Sequence, residues 1–291
     1  MRKCVRNYVE VTKPPIVSLL VFTSLATMIV AWKETLISLS WIAVGVALVA
    51  ITAASAGCDV LTSYIDRDID AIMERTKKRP IPSGRIKAHR ALLWGLFLAV
   101  MGMALAYSIN VLSFIWIALG VFDNVVVYSL LLKRRSRLNI ILGGVSGGLP
   151  VMFGWSAVTN GYALLPVLLA GLVVLWIPGH IWSLAIFTRN DYQRAHVPML
   201  PVVTKLSTAL RCIVSTVVLM IPFSLCIFFV GKLGLVYLLT AILFGIWVLY
   251  VNFKLFLHPS DDLAYKAFKV SSPYLFTLFL ALIIDSFVRL I

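Results

Sequence analysis

Acidic residues are scarce in this chain. Its 291 residues include 12 Asp and Glu against 26 Lys and Arg, and charged residues of both signs amount to 13%. A soluble domain carries roughly twice that fraction, so a soluble globular fold is excluded. Cysteine is scarce too. Cys4, Cys58, Cys212 and Cys226 show neither CxxC nor metal-type spacing, which argues against a disulfide framework. Nothing shows the alternation of a membrane β-barrel. The first apolar stretch lacks a small-residue cleavage site and reads as a span rather than a signal peptide. No Arg/Ser-rich extension precedes it, which favours a prokaryotic plasma membrane. With no low-complexity segment and no composition shift, residues 1–291 read as a single transmembrane domain.

Hydrophobic residues are what the chain has in excess, at 61% with a mean hydropathy of +0.98. A spanning helix needs ~20 mostly apolar residues. Nine stretches qualify, at about 16–32, 41–64, 89–107, 111–131, 140–157, 162–187, 207–230, 235–257 and 268–288. The expected fold is therefore all-α, a polytopic membrane bundle of nine helices. Of the 26 basic residues, all but Lys33, Lys232 and Arg289 fall on one side of that arrangement. The positive-inside rule then predicts a cytoplasmic N-terminus and an outside C-terminus. Topology and anionic lipid account for the net charge of +14, so the bilayer is the expected partner and nucleic acid is not.

The scarce acids are concentrated. Thr62 to Gly84 reads TSYIDRDIDAIMERTKKRPIPSG and follows the second span. If that span continues as a helix to Asp70, then Asp59, Ser63, Asp66 and Asp70 lie within about 40° of one line, Thr62 flanks it and Asp68 points away. Carboxylates at a membrane surface are functional candidates. Asp66 and Asp70, four apart on one face, suit Mg²⁺, which usually binds one or two carboxylates together with substrate phosphates. Arg75, Lys77, Lys78 and Arg79 can take the remaining phosphate charge. A solvated charge run with helix-stabilising pairs is the plainer reading of the same residues. Asp59 lies deeper and reads equally well as a partnered structural carboxylate. A second inside loop, FTRNDYQRAHVPMLPVV, carries one acid, Asp191, with Asn190 beside it; two Mg²⁺ ions bridging a diphosphate from two sides would use Asp66, Asp70 and Asp191. A third supplies Lys133, Arg134, Arg135 and Arg137; Lys133, at the end of the fourth span, is the best placed to reach a phosphate. His180 is the one histidine inside a span, just after Pro178 and Gly179. It reads either as a hydrogen-bonded structural residue or as a ligand.

Four segments carry a resemblance: YIDRDIDAIMERTKKRPIPSGRI (64–86), YSLLLKRRSRLNIILGGVSGGLPVMFGW (128–155), WIPGHIWSLAIFTRNDYQRAHVPMLPVV (176–203) and FKVSSPYLFTLFLALIID (268–285). The chain resembles the UbiA superfamily of intramembrane prenyltransferases, in its haem-modifying branch. That resemblance implies nine helices around a central cavity. It further implies Mg²⁺-dependent transfer of farnesyl from farnesyl diphosphate to a vinyl group of haem B, giving haem O, with a haem A synthase as a candidate partner. By the same resemblance, Asp66 and Asp70 match the last two acids of an NxxxDxxxD pattern. Thr62 stands where that pattern has asparagine and keeps one oxygen ligand. Asp191 matches the second acidic motif. Arg75, Lys78 and Arg79 align with the basic run and Lys133 with the lysine after the fourth span; Arg134 beside it is a further diphosphate-binding candidate. His180 matches the histidine before the second loop, with PGH here where proline usually directly precedes histidine; next to the Pro178–Gly179 break and two turns from Asp191, it is the candidate for haem binding. Tyr64, Tyr128, Trp155, Trp176 and Trp182 are available to stabilise an allylic cation, or simply as packing. Two alternatives stand beside this reading. One is a sibling enzyme acting on an aromatic quinone precursor or a lipid glycerol phosphate, which would favour a second acid where Ala195 stands. The other is a transporter, which would need polar residues on both membrane faces.

Overall fold

A computed structural model describes residues 2–37 and 40–288, with side chains described from Val5 onward. Arg289 and the side chains of Arg2, Lys3 and Cys4 lie outside the described residues. Apolar stretches fold here as helices because a bilayer core offers the backbone no other hydrogen-bond partner. A short α1 (Arg2–Val11) leads into α2 (Pro14–Thr35), whose two opening prolines occupy positions where a missing N–H costs little. Next, α3 (Trp41–Ile65) begins at Ser40, whose hydroxyl caps the Ala43 N–H, and α4 (Arg67–Ile72) follows after a single residue, Asp66. Then come α5 (Ala88–Ile109) and α6 (Val111–Val121), the latter running on as a π-helical segment, Phe122–Leu132. The order continues with α7 (Asn139–Gly143), α8 (Val145–Thr159), α9 (Leu164–Phe187), α10 (Arg189–Arg194), α11 (Leu200–Val203), α12 (Leu206–Val230), α13 (Leu235–Leu257) and α14 (Asp261–Val288).

Among the described residues nine helices are long and apolar enough to cross a membrane, counting α6 with its π-helical continuation and α7 with α8 as one each. The expected nine-span bundle is thus borne out, with three local differences. The last span begins at Asp261 rather than near 268. Asp261 and Asp262 sit in its first turn, where acids complement the helix dipole, and the Ser260 hydroxyl accepts the Leu263 N–H. The fourth span changes its winding at Phe122, and the fifth is interrupted at Gly144.

Small residues let the helices approach one another, as is usual where lipid supplies no hydrophobic drive. On the α3–α5 seam a Cβ added to Gly102 would lie 2.6 Å from the Ala54 backbone nitrogen. One large core joins α8, α9 and α12 to α14; a smaller one joins α2, α3, α5 and α6. A cavity of about 570 Å³ opens between them, walled by α2, α3, α6 and its π-helical continuation, α7, α8, α9 and the start of α14.

Candidate active site

One wall of the cavity is the polar stripe of α3 and α4. Asp59, Thr62, Ser63, Asp66 and Asp70 all line it. The helix does not run unbroken to Asp70, because Asp66 leaves helical geometry (φ −89°, ψ 5°). The Asp66 N–H still donates to the Thr62 carbonyl at 2.9 Å, and the Asp70 N–H to the Asp66 carbonyl at 2.8 Å. The i→i−4 ladder survives the break, so the two carboxylates keep a common face. Asp68 points away from it. It is exposed and accepts two hydrogen bonds from Arg134, at 2.5 and 2.7 Å, which hold its carboxyl down at about 2.

Each carboxylate of the stripe faces a cation from a different part of the chain. Asp59 pairs with Lys13 at 2.9 Å, and Lys13 Nζ also lies 3.4 Å from the Thr62 hydroxyl. Asp66 accepts from Lys133 through Oδ2, and Asp70 from Arg79 at 2.9 Å. Asp66 and Asp70 are buried, and a lone charge there would be strongly destabilising, so these pairs hold the mouth together. Arg75 also lines the cavity, and its side chain makes no ion pair among the described residues.

The donor set suits Mg²⁺. Asp66 Oδ1 is buried without a hydrogen-bond partner, a polar orphan that a cation would satisfy. Asp70 and the Thr62 hydroxyl stand on the same face, and all three present oxygen, the ligand atom hard cations take. No cluster of three His, Cys, Asp or Glu side chains occurs among the described residues. Such a site would share its metal with substrate phosphates, the usual arrangement for Mg²⁺.

Asp191 stands apart from these residues and is not part of the cavity wall. It lies in α10, where Oδ1 accepts the Glu74 N–H and Oδ2 the Arg75 N–H, each at 3.1 Å, while Arg194 also donates to Oδ1. Burial raises its pKa, but the Arg75 amide, the Arg194 guanidinium and the Glu74 amide together hold it below the usual carboxylate value. Here Asp191 clasps the second loop to the first, just where Arg75 turns towards the cavity. Lys78 and Arg134 also lie off the cavity wall. Lys78 is exposed and its carbonyl accepts from Arg85, while Arg134 is committed to Asp68 and to the Ile65 carbonyl.

Lys133 reaches Asp66 because of the π-helical segment. The Lys133 N–H bonds the Tyr128 carbonyl, five residues back, at 2.8 Å, and the wider turn brings both residues to the cavity. Single π turns mark functional places in helices. Gly143 makes room for the Tyr128 ring: a Cβ there would lie 2.5 Å from Tyr128 Cβ.

His180 lies on the α9 wall. Its ring is sandwiched between Trp176 (centroids 4.3 Å apart) and Phe268 (4.4 Å), and Nδ1 lies 2.6 Å from the Ser271 hydroxyl. Of the five aromatic residues considered from sequence, Tyr128 and Trp176 line the cavity. Trp155 and Trp182 are buried in the core, and Tyr64 packs by Val11 and Val60.

The sequence reading missed Lys13. Its backbone is left-handed (φ 50°, ψ 62°) at the start of α2, a conformation costly for a residue with a side chain. That geometry lets the ammonium turn back under α3. A signal exists in the chain, a lysine directly before Pro14 and Pro15 at the mouth of a span, but its partner Asp59 is 46 residues away.

Known proteins resemble the chain over most of its length. The model of the UbiA prenyltransferase family matches residues 19–283. A protein of Desulforudis audaxviator named protoheme IX farnesyltransferase is 52% identical over 99% of this chain and 90% of its own length. One of Thermoplasma volcanium with the same name is 42% identical over 96% of this chain and 97% of its own. Among solved structures, one concerned with digeranylgeranylglyceryl phosphate synthase superposes with a TM-score of 0.78 at 21% identity, covering 98% of this chain and 99% of that one. A UbiA homologue from Archaeoglobus fulgidus bound to DMAPP and Mg²⁺ gives 0.69 at 15% identity, covering 95% and 99%. These last two speak for the fold. With the family model spanning all nine helices and full-length relatives this similar, the chain belongs to the UbiA prenyltransferase family.

Proposed function

We propose that the chain transfers a farnesyl group from farnesyl diphosphate to a vinyl group of haem B, with residues 1–291 acting as one catalytic unit in the cell membrane. The observation that carries this is the 52% identity, over 99% of the chain, to a relative named for that reaction. The geometry supports it with a charged mouth above an apolar cavity large enough for organic ligands.

Asp66, Asp70 and Thr62 would hold Mg²⁺. Bound there, the ion supplies charge neutralisation to the diphosphate as the allylic C–O bond breaks. Lys133, Arg75 and Arg79 bind the diphosphate oxygens. Lys133 and Arg79 already balance Asp66 and Asp70, and the Arg75 side chain makes no ion pair among the described residues. Lys78 and Arg134 act from outside the cavity, Arg134 by fixing the turn after α3 through Asp68. Asp191 serves the diphosphate through the Arg75 backbone, and its carboxylate keeps a lone pair beyond the three bonds it accepts. The apolar walls keep water from the allylic cation until the vinyl carbon bonds to it and diphosphate has left; water then adds to the cation left beside the macrocycle and loses a proton, giving the hydroxyl. Tyr128 and Trp176 line the cavity and are available to stabilise the cation. His180, deeper on α9, contacts the haem.

Two alternatives lose ground. A transporter needs a polar path between the two faces, whereas the ion pairs of Asp59, Asp66, Asp68 and Asp70 gather at one end of the bundle. A sibling acceptor would favour a second acid where this chain has buried Ala195. The test is acceptor choice. Purified protein, farnesyl diphosphate and Mg²⁺ are incubated separately with haem B and with an aromatic hydroxy acid, and products are identified by mass spectrometry. Hydroxyethylfarnesyl haem and no prenylated acid is expected; the reverse sinks the reading.

A further inference from the structure

Ser271 of α14 meets His180 of α9 across the cavity wall. The Ser271 hydroxyl lies 2.7 Å from the Phe268 carbonyl, which can only accept, and 2.6 Å from His180 Nδ1. A hydroxyl has one proton. Spent on Phe268, in the back-bond that serines commonly make within helices, it leaves the serine oxygen as an acceptor towards His180. Nδ1 must then carry the ring proton. The serine is itself fixed, since Trp176 Nε1 donates to its carbonyl at 2.8 Å. The Trp176 and Phe268 rings stop the imidazole from flipping.

We propose that Ser271 is a positioning residue which holds His180 as the Nδ1–H tautomer, so that Nε2 is the ring's one lone pair and serves as an axial ligand to haem iron. A neutral imidazole binds a metal through one nitrogen while the other donates to an oriented acceptor, and that acceptor sets the tautomer. The proposal rests on the haem-prenylating reading above, and adds to it how this chain orients the macrocycle. Iron takes no part in the bond changes. Ligation fixes the plane of the ring system and hence which vinyl group faces the diphosphate end.

Two measurements test it. In protein labelled with ¹⁵N-histidine, the His180 resonances, identified by their loss in His180→Gln, report the tautomer without any haem. Nδ1–H is expected, and Nε2–H would overturn the proposal. In the second, ferric haem B is titrated into wild type, His180→Ala, Ser271→Ala and Ser271→Thr and followed by its Soret band. The nitrogen-ligated spectrum should be lost in His180→Ala. Ser271→Ala should bind haem about tenfold more weakly, the lower end of what losing a histidine's outer partner costs. Ser271→Thr should restore binding, and the apparent KM for farnesyl diphosphate should stay unchanged throughout. Wild-type affinity and spectrum in Ser271→Ala overturn this proposal alone. A wild type that binds no haem B overturns the ligand role together with the reading beneath it.

Discussion

Asp66, Asp68 and Asp70 sit within five positions of one another and play different parts, because the first and last face the cavity while the middle one faces solvent. Asp68→Asn should therefore cost little turnover, well under tenfold, since an exposed pair contributes only about 0–1 kcal/mol. Steady-state rates decide this, and a loss as deep as that of Asp70→Asn would contradict the assigned faces. Helical periodicity made this division legible from sequence. Two of the partners were not legible, because Lys13 and Lys133 come from other segments and no local spacing announces them, whereas Arg79 follows Asp70 in the same stretch. Lys13 gives a second prediction. Lys13→Met leaves Asp59 buried with no cation and should lower thermal stability in detergent. Adding Asp59→Asn should restore much of the loss, because the stranded charge is gone. Additive losses in the double variant would show that the pair is not coupled.

At the scale of elements, hydropathy revealed the nine spans but not how they are interrupted. The turn at Asp66, the π winding from Phe122 and the break at Gly144 leave composition unchanged, so a fixed 100° per residue passes over them. The early start of α14 was hidden because Asp261 and Asp262 look like loop residues until they are seen as first-turn acids. The Asp191 clasp is another product of loop packing. Asp191→Asn should raise the apparent KM for farnesyl diphosphate several-fold while leaving the Mg²⁺ concentration dependence as in wild type. A shifted Mg²⁺ requirement would make Asp191 a metal ligand instead. The clasp also predicts a pH effect. The Asp191 carboxyl is depressed below its ordinary value of 3.8, so the stability it gives is complete above that value and is lost as pH falls through the lower folded value. Protease sensitivity of the segment around Glu74 should rise in that acid window in wild type. In Asp191→Asn it should be high already at neutral pH.

For the whole molecule, the placement of basic residues predicts that the charged mouth faces the cytoplasm. Cysteines introduced at Lys33 and Lys232 should react with an impermeant maleimide from outside intact cells; labelling from the cytoplasmic side alone would reverse the topology. One-sidedness also gives the molecule its chemical logic. In the proposed reaction, diphosphate and metal would meet at the cationic rim, while the prenyl chain and the acceptor would share the apolar interior. The rim carries the central claim, that Asp66 and Asp70 hold the ion that assists diphosphate departure. Its most direct test is a Mg²⁺ titration of farnesyl transfer to haem B, comparing wild type with Asp66→Asn. Wild type should saturate with Mg²⁺ and lose activity to a chelator. Asp66→Asn should fall by about 10²-fold or more, the scale on which losing one charge-stabilising group acts, and should need more Mg²⁺ for what remains. Wild-type turnover in Asp66→Asn with an unchanged Mg²⁺ curve would contradict the account.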